Sequence, residues 1–164
     1  MKYVKWIFVV LFISSLTSFV EKDKPTGGLS VGDVAPDFKV GTTLDGKQLD
    51  LNSLKGKYVL LSFWASYDAQ SRMNNVSLNN ALKATSKNVE MVSVSFDEYK
   101  SIFDETVRKD QIVTPNCFVE TSGEDSKLFE TYRLNKGFNN YLLDERGVII
   151  AKNISASNLS SYLN

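Results

Sequence analysis

After the almost continuously apolar run Tyr58 to Trp64, the chain turns polar and helix-like in the segment Tyr67-Asp68-Ala69-Gln70-Ser71-Arg72. Junctions of strand and helix often seat chemistry. This one offers a carboxylate, Asp68, and one helical turn later a hydroxyl, Ser71, with Tyr67 and Arg72 beside them. The carboxylate has two uses: it can cap the free amides of a helix start, or it can bind a ligand together with Tyr67 and Arg72. Ser71 is too weakly acidic to attack at neutral pH without a base, and the chain has no histidine to supply one. A single cysteine, Cys117, completes the list of nucleophiles. These counts exclude Ser-His-Asp and Cys-His catalysis, Cys/His zinc sites, iron–sulfur clusters and intrachain disulfides, leaving carboxylate, hydroxyl, amine or single-thiol chemistry. Within the apolar run Cys-Phe-Val, Cys117 is either a small buried hydrophobe or the reactive thiol of a one-cysteine oxidoreductase or peroxidase. The carboxylates Asp97, Glu98, Asp104 and Glu105 read as a solvated helix face, so no metal site and no cofactor is expected.

The elements that must position these residues follow from periodicity and turn signals. Tyr58 to Trp64 and Val89 to Phe96 are apolar enough to be central strands covered on both faces. Gln70 to about Ser86 reads as a surface helix with Met73, Val76, Leu78, Ala81 and Leu82 on its buried side. Ser101 to Lys109 is a second helix, with Ile102, Phe103 and Val107 as its apolar residues. Pro115 precedes a short strand around Cys117, and Ser126 to Tyr132 makes a short helix. A strand, a turn near Glu145 to Gly147 and a further strand follow, and a last helix takes Ser157 as its N-cap. Upstream, Phe38 to Leu51 forms two short strands joined at Asp45-Gly46, a dipeptide suited to a tight turn. Gly41, Gly46 and Lys47 nearly match a P-loop, but Gln48 stands where a magnesium-binding Ser or Thr would be needed, and a hairpin accounts for every residue. The order implies an α/β domain with a mixed sheet and helices on both faces.

The segment "GKYVLLSFWASYDAQSR" resembles "GKxVLLNFWASWCGPCR" of the TlpA/ResA-like branch of the thioredoxin superfamily, exported thiol-disulfide oxidoreductases related to the AhpC/TSA and redoxin group. "VGDVAPDFKVGTTLDGKQLDLNSLKGK", "VEMVSVSFDE" and "YRLNKGFNNYLLDERGVIIAKNIS" resemble further segments of that branch in the same order. The resemblance implies a thioredoxin-like three-layer α/β/α sandwich with a mixed central sheet and an N-terminal β-hairpin. Laid residue on residue, it places Asp68 and Ser71 at the two catalytic cysteines, Tyr67 at the preceding tryptophan, Ser62 at a polar position before the active-site turn, and Phe138 at the cis-proline. A cis bond costs about 2.5–4 kcal/mol before a non-proline residue against roughly 0.5–1 before proline, so the Gly137–Phe138 bond is expected to be trans. The two-cysteine cycle cannot run on this chain. The expectation is a redox-inactive binding or accessory protein using Tyr67, Asp68, Ser71, Arg72 and Phe138, with a thiol enzyme acting through Cys117 or a purely structural domain as the alternatives.

Lys2 and Lys5 precede fifteen uncharged residues, Trp6 to Val20, a run of about 22 Å as a helix and short of the roughly 30 Å of a bilayer core. Residues 1–20 are therefore an export signal, cleaved near Ser18 or kept as an anchor, residues 21–30 a linker, and residues 31–164 the thioredoxin-like domain. Periplasm or cell envelope is the implied location, with membrane contact only through an uncleaved N-terminus. Lysine and arginine together equal aspartate and glutamate at 19 each, without blocks of like charge, which gives no reason to expect nucleic acid. The expected partner is an envelope protein or peptide.

Overall fold

In the computed structural model, the described residues are 25–41, 48–83, 88–112 and 114–163. The export segment 1–20 and the Asp45-Gly46 turn with Lys47 lie outside them, whereas Gly41 and Gln48 end and begin the two strands that flank that turn. The strands flanking that turn, β1 (Lys39–Gly41) and β2 (Gln48–Asp50), pair antiparallel as a separate ribbon. β3 (Tyr58–Trp64), β4 (Val89–Ser95), β5 (Cys117–Val119), β6 (Asn140–Leu143) and β7 (Ile149–Lys152) form one sheet in the order β5-β4-β3-β6-β7. β3, β4 and β5 run parallel, whereas β6 and β7 are antiparallel to their neighbours, so the sheet is mixed. Among the described residues four α-helices complete the fold, α1 (Ala69–Lys83), α2 (Lys100–Lys109), α3 (Lys127–Thr131) and α4 (Ala156–Leu163), beside shorter single-turn helices.

Successive side chains of a strand point to opposite faces, and β3 divides accordingly. Val59, Leu61 and Phe63 enter a core with Val92, Val94, Phe96, the ribbon residues Val40 and Leu49, and Phe129 of α3. Leu60 faces the other way, against Leu78 of α1 and Leu159 of α4, and Trp64 packs with Phe103 and Val107 of α2. Both faces of the sheet are thus covered, which is why β3 reads as an almost continuous apolar run and β4 carries apolar residues on both of its faces, Met91 on one and Val92 and Val94 on the other. The arrangement is the three-layer α/β/α sandwich with a mixed central sheet that the resemblance implied.

Three details differ from the sequence reading. Of the expected buried side of α1, Leu78 is buried and Val76, Ala81 and Leu82 pack against the core, but Met73 is exposed, and Ser71, Asn75 and Asn79 are buried with Leu78. Those positions share one face at helical spacing, and Ser93 Oγ meets Asn75 by donating to its Oδ1 at 2.9 Å. On α2, Ile102 is exposed whereas Phe103 and Val107 are buried. α4 begins at Ala156, so Ser155 rather than Ser157 takes the N-cap position. Within residues 25–30, the described part of the expected linker, Thr26 and Ser30 are held to the domain: Val34 N donates to Thr26 O at 2.7 Å and Ser30 N to Asp33 Oδ2 at 2.9 Å.

Candidate functional site

The parallel strands β3 and β4 end side by side, and the chain leaves each into a turn that opens a helix. Open α/β sheets present their binding surfaces at such carboxyl ends. From Trp64, fully buried, the chain passes through Ala65 and Ser66 to Tyr67, which is 63% exposed, and then to Asp68 immediately before α1. Asp68 Oδ1 accepts the Ser71 amide at 2.7 Å, the bond of an N-cap side chain to the third residue of its helix. The Asp68 carbonyl accepts the Arg72 amide at 3.0 Å and the Ser71 hydroxyl at 3.2 Å. Ser71 is buried, and its oxygen also receives the Ala65 amide at 3.4 Å, so the hydroxyl is turned into the helix start and away from solvent.

Arg72 forms a bidentate pair with Asp110, its Nε and Nη2 each 2.6 Å from a carboxylate oxygen, and so ties the first turn of α1 to the end of α2. The Asp110 hydrogen bond holds the guanidinium protonated above its ordinary range. Arg72 faces an open groove of about 440 Å³ that Tyr67 and Met73 also line, on the opposite side of the Ser66–Tyr67 turn from Phe96.

Phe138 lies in the loop that leads into β6. No cis peptide occurs among the described residues, so the Gly137–Phe138 bond is trans as expected. The Phe138 ring is half-buried, stacked on Phe96 with centroids 6.0 Å apart, and edge-on to Phe129 at 6.1 Å and to Tyr67 at 6.4 Å. Tyr67, Asp68 and Phe138 therefore lie together, with Arg72 on their flank, whereas Ser71, expected at the same surface, is buried beneath it because its hydroxyl is held by the backbone of Ala65 and Asp68. Cys117 stands apart in β5, buried and in register with Ser93, whose Oγ lies 3.7 Å from its sulfur. Burial pushes this thiol up to about 11, against a weaker opposing effect of the Ser93 contact.

Asp97 corrects the reading of the acidic residues as one solvated face. It is only 3% exposed and accepts the Ser66 amide at 3.0 Å, the Ser66 hydroxyl at 2.5 Å and the Ser95 hydroxyl at 2.5 Å. The carboxylate thereby fixes the turn that presents Tyr67. Asp104 and Glu105 do lie on the α2 surface, paired with Lys100 and Arg108. Glu98 instead faces a second groove, of about 490 Å³, with Tyr99, Ile102, Glu124 and Asp125. Tyr99, Glu124 and Asp125 escape the sequence reading, and Glu98 and Ile102 are assigned there to helix faces, because the groove joins segments distant in sequence; the usable signal is that Asp97 to Tyr99 follow directly on a core strand, at the sheet's carboxyl edge. Desolvation raises the Tyr67 phenol above its ordinary range, and the charges of Glu124, Asp97, Asp68 and Glu98 add to the rise. Among the described residues no group of three or more Cys, Asp or Glu side chains is arranged to hold a metal ion.

The model of the AhpC/TSA family matches residues 31–152. A thioredoxin-like protein from Parabacteroides distasonis shares the fold with a TM-score of 0.73 at 39% identity, over 85% of this chain and 98% of its own. The thioredoxin domain of a thiol-disulfide oxidoreductase from Bacteroides vulgatus gives a TM-score of 0.73 at 25% identity, over 84% of this chain and the whole of that one. The thiol-disulfide oxidoreductase ResA of Bacillus cereus is 28% identical over 149 residues, 88% of this chain and 81% of its own.

Proposed function

Because the chain belongs to the AhpC/TSA family and is a thioredoxin-like protein of the ResA and TlpA group, we propose that it is a redox-inactive binding or accessory protein of the cell envelope, holding a partner protein or peptide on the surface around Tyr67, Asp68, Arg72 and Phe138. The observation that carries this reading is the N-terminus of α1. Dithiol exchange needs a thiolate stabilised by the free amides of a helix start and a second sulfur one turn on to resolve the mixed disulfide. Here the amide of Ser71 is taken by the Asp68 carboxylate, and the residue one turn on is a buried hydroxyl. Neither group carries sulfur, and the chain's single thiol lies elsewhere, buried in β5.

The same burial weighs against a one-cysteine enzyme, since attack requires an accessible thiolate and Cys117 is neutral far above physiological pH. A purely structural domain would be expected to fill its former site. The exposed Tyr67 and the open grooves on either side of it favour binding. Location in the envelope rests on the export-like segment Lys2 to Val20. The test is cross-linked capture from envelope extract with the unmodified protein and with a Tyr67→Ala, Phe138→Ala double variant. A specific partner lost in the variant is the expected result, and a partner retained in full would remove this surface from the account.

A further inference from the structure

Three segments far apart in sequence meet at the groove beside Tyr67: the β3–α1 turn, the start of α2, and the one-turn helix Gly123–Asp125. Tyr67 (63%), Tyr99 (64%) and Ile102 (46%) expose large apolar side chains there, in a fold that elsewhere buries most of its residues of that type. Adjoining exposed apolar residues of this size mark an interaction surface more often than chance exposure. The groove's charge is of one sign. Glu98, Glu124 and Asp125 form its acidic edge, none of them makes an ion pair among the described residues, and no basic residue lines the groove. Gly123 brings the edge together: its φ of +55° turns the chain tightly, and a methyl group there would stand only 3.3 Å from Glu98 Cγ. Asp97, at the floor, spends its oxygens on Ser66 and Ser95, so the three edge carboxylates are the ones left for a partner.

We propose that this groove receives an extended segment of a partner protein in which lysine or arginine alternates with aromatic or aliphatic residues. The inference rests on the binding reading above and names the partner's chemistry. Apolar side chains would pack on Tyr99 and Ile102, while the cations would meet the carboxylate edge and the faces of Tyr67 and Tyr99. An acidic segment would meet repulsion along the whole edge, and a neutral one would gain only the apolar contacts.

The test is fluorescence anisotropy with the full-length protein and a short fluorescein-labelled peptide of alternating lysine and leucine, compared with counterparts carrying serine or glutamate in place of lysine. The lysine peptide should bind most tightly, and its affinity should fall as salt rises. A Glu98→Gln, Glu124→Gln, Asp125→Gln variant should weaken it about tenfold, since three exposed charges each contribute modestly. A Glu105→Gln, Glu130→Gln, Glu145→Gln variant, with the same change in net charge, should leave it unaltered. Tyr99→Ala, at a side chain that is 64% exposed, should weaken all three peptides without unfolding the domain. No binding of the lysine peptide, equal binding of the serine peptide, or equal weakening by the two triple variants would each overturn the proposal. A disulfide-reduction assay on the same preparation separates this inference from the reading beneath it. Turnover there overturns redox inactivity, whereas an inert protein that ignores the lysine peptide overturns this inference alone.

Discussion

Replacing Asp97 with alanine removes the acceptor that organises the turn carrying Tyr67. Three donors lose their partner: the Ser66 amide at 3.0 Å, the Ser66 hydroxyl at 2.5 Å and the Ser95 hydroxyl at 2.5 Å. Hydrogen bonds to a charged group are worth about 1.5–3 kcal/mol each, but Ser66 is only half-buried and can turn to water, which returns part of the loss. Ser95 is fully buried and has no such recourse. The net cost is about 3–4 kcal/mol, or roughly 10 °C in Tm for a chain of this size. Asp97→Asn keeps an oxygen for Ser66 and lets the Ser95 hydroxyl reverse its role, so it should cost about half as much. Urea unfolding followed by circular dichroism measures both, with the slope unchanged if the variants stay two-state. The alanine variant should also lose partner binding out of proportion to its remaining folded fraction. A cost below about 0.5 kcal/mol for Asp97→Ala, or equal costs for the two substitutions, would refute the argument that this carboxylate builds the turn.

Asp68→Ala should destabilise the domain by about 1 kcal/mol and Asp68→Ser by much less, because serine also caps helices; thermal unfolding distinguishes them. Arg72→Ala should cost about 1–2 kcal/mol by cutting the bidentate link between α1 and Asp110, and Arg72→Lys should recover only part of it in the same assay. Cys117 should react slowly with iodoacetamide at pH 8 when folded and rapidly in guanidinium. Because burial raises its folded value from 9.0 to about 11, its contribution to stability is complete below pH 9 and is lost as pH rises towards 11. Unfolding measured from pH 8 to 11 should show a smaller decline in Cys117→Ala.

The fold was legible because its strongest signals are local. Tyr58 to Trp64 is apolar at every position but Ser62, and Val89 to Ser95 places Met91 on one face and Val92 and Val94 on the other, as a sheet covered on both sides requires. The cap at Asp68 was likewise legible, since its partner is the Ser71 amide three residues away. Features that depend on distant partners were not. The α1 face was assigned by apolarity, which favoured Met73, yet Asn75 is the buried residue because Ser93, on another strand, hydrogen-bonds to it. Asp97 looked like its acidic neighbours because Ser66, thirty-one residues earlier, cannot be paired with it from sequence alone. The groove beside Tyr67 was invisible for the same reason: Glu98 and Glu124 meet only once β4 and the Gly123 turn are packed together.

In the function we propose, α1 begins where the resembling oxidoreductases seat a dithiol, and Asp68 and Ser71 leave this chain without one. Reduction of a protein disulfide, with dithiothreitol as electron donor, should be measured side by side for the unmodified chain and for an Asp68→Cys, Ser71→Cys variant. No turnover is expected from the first and measurable turnover from the second. Turnover by the unmodified chain, or a folded double variant that exchanges no disulfide, would contradict the claim.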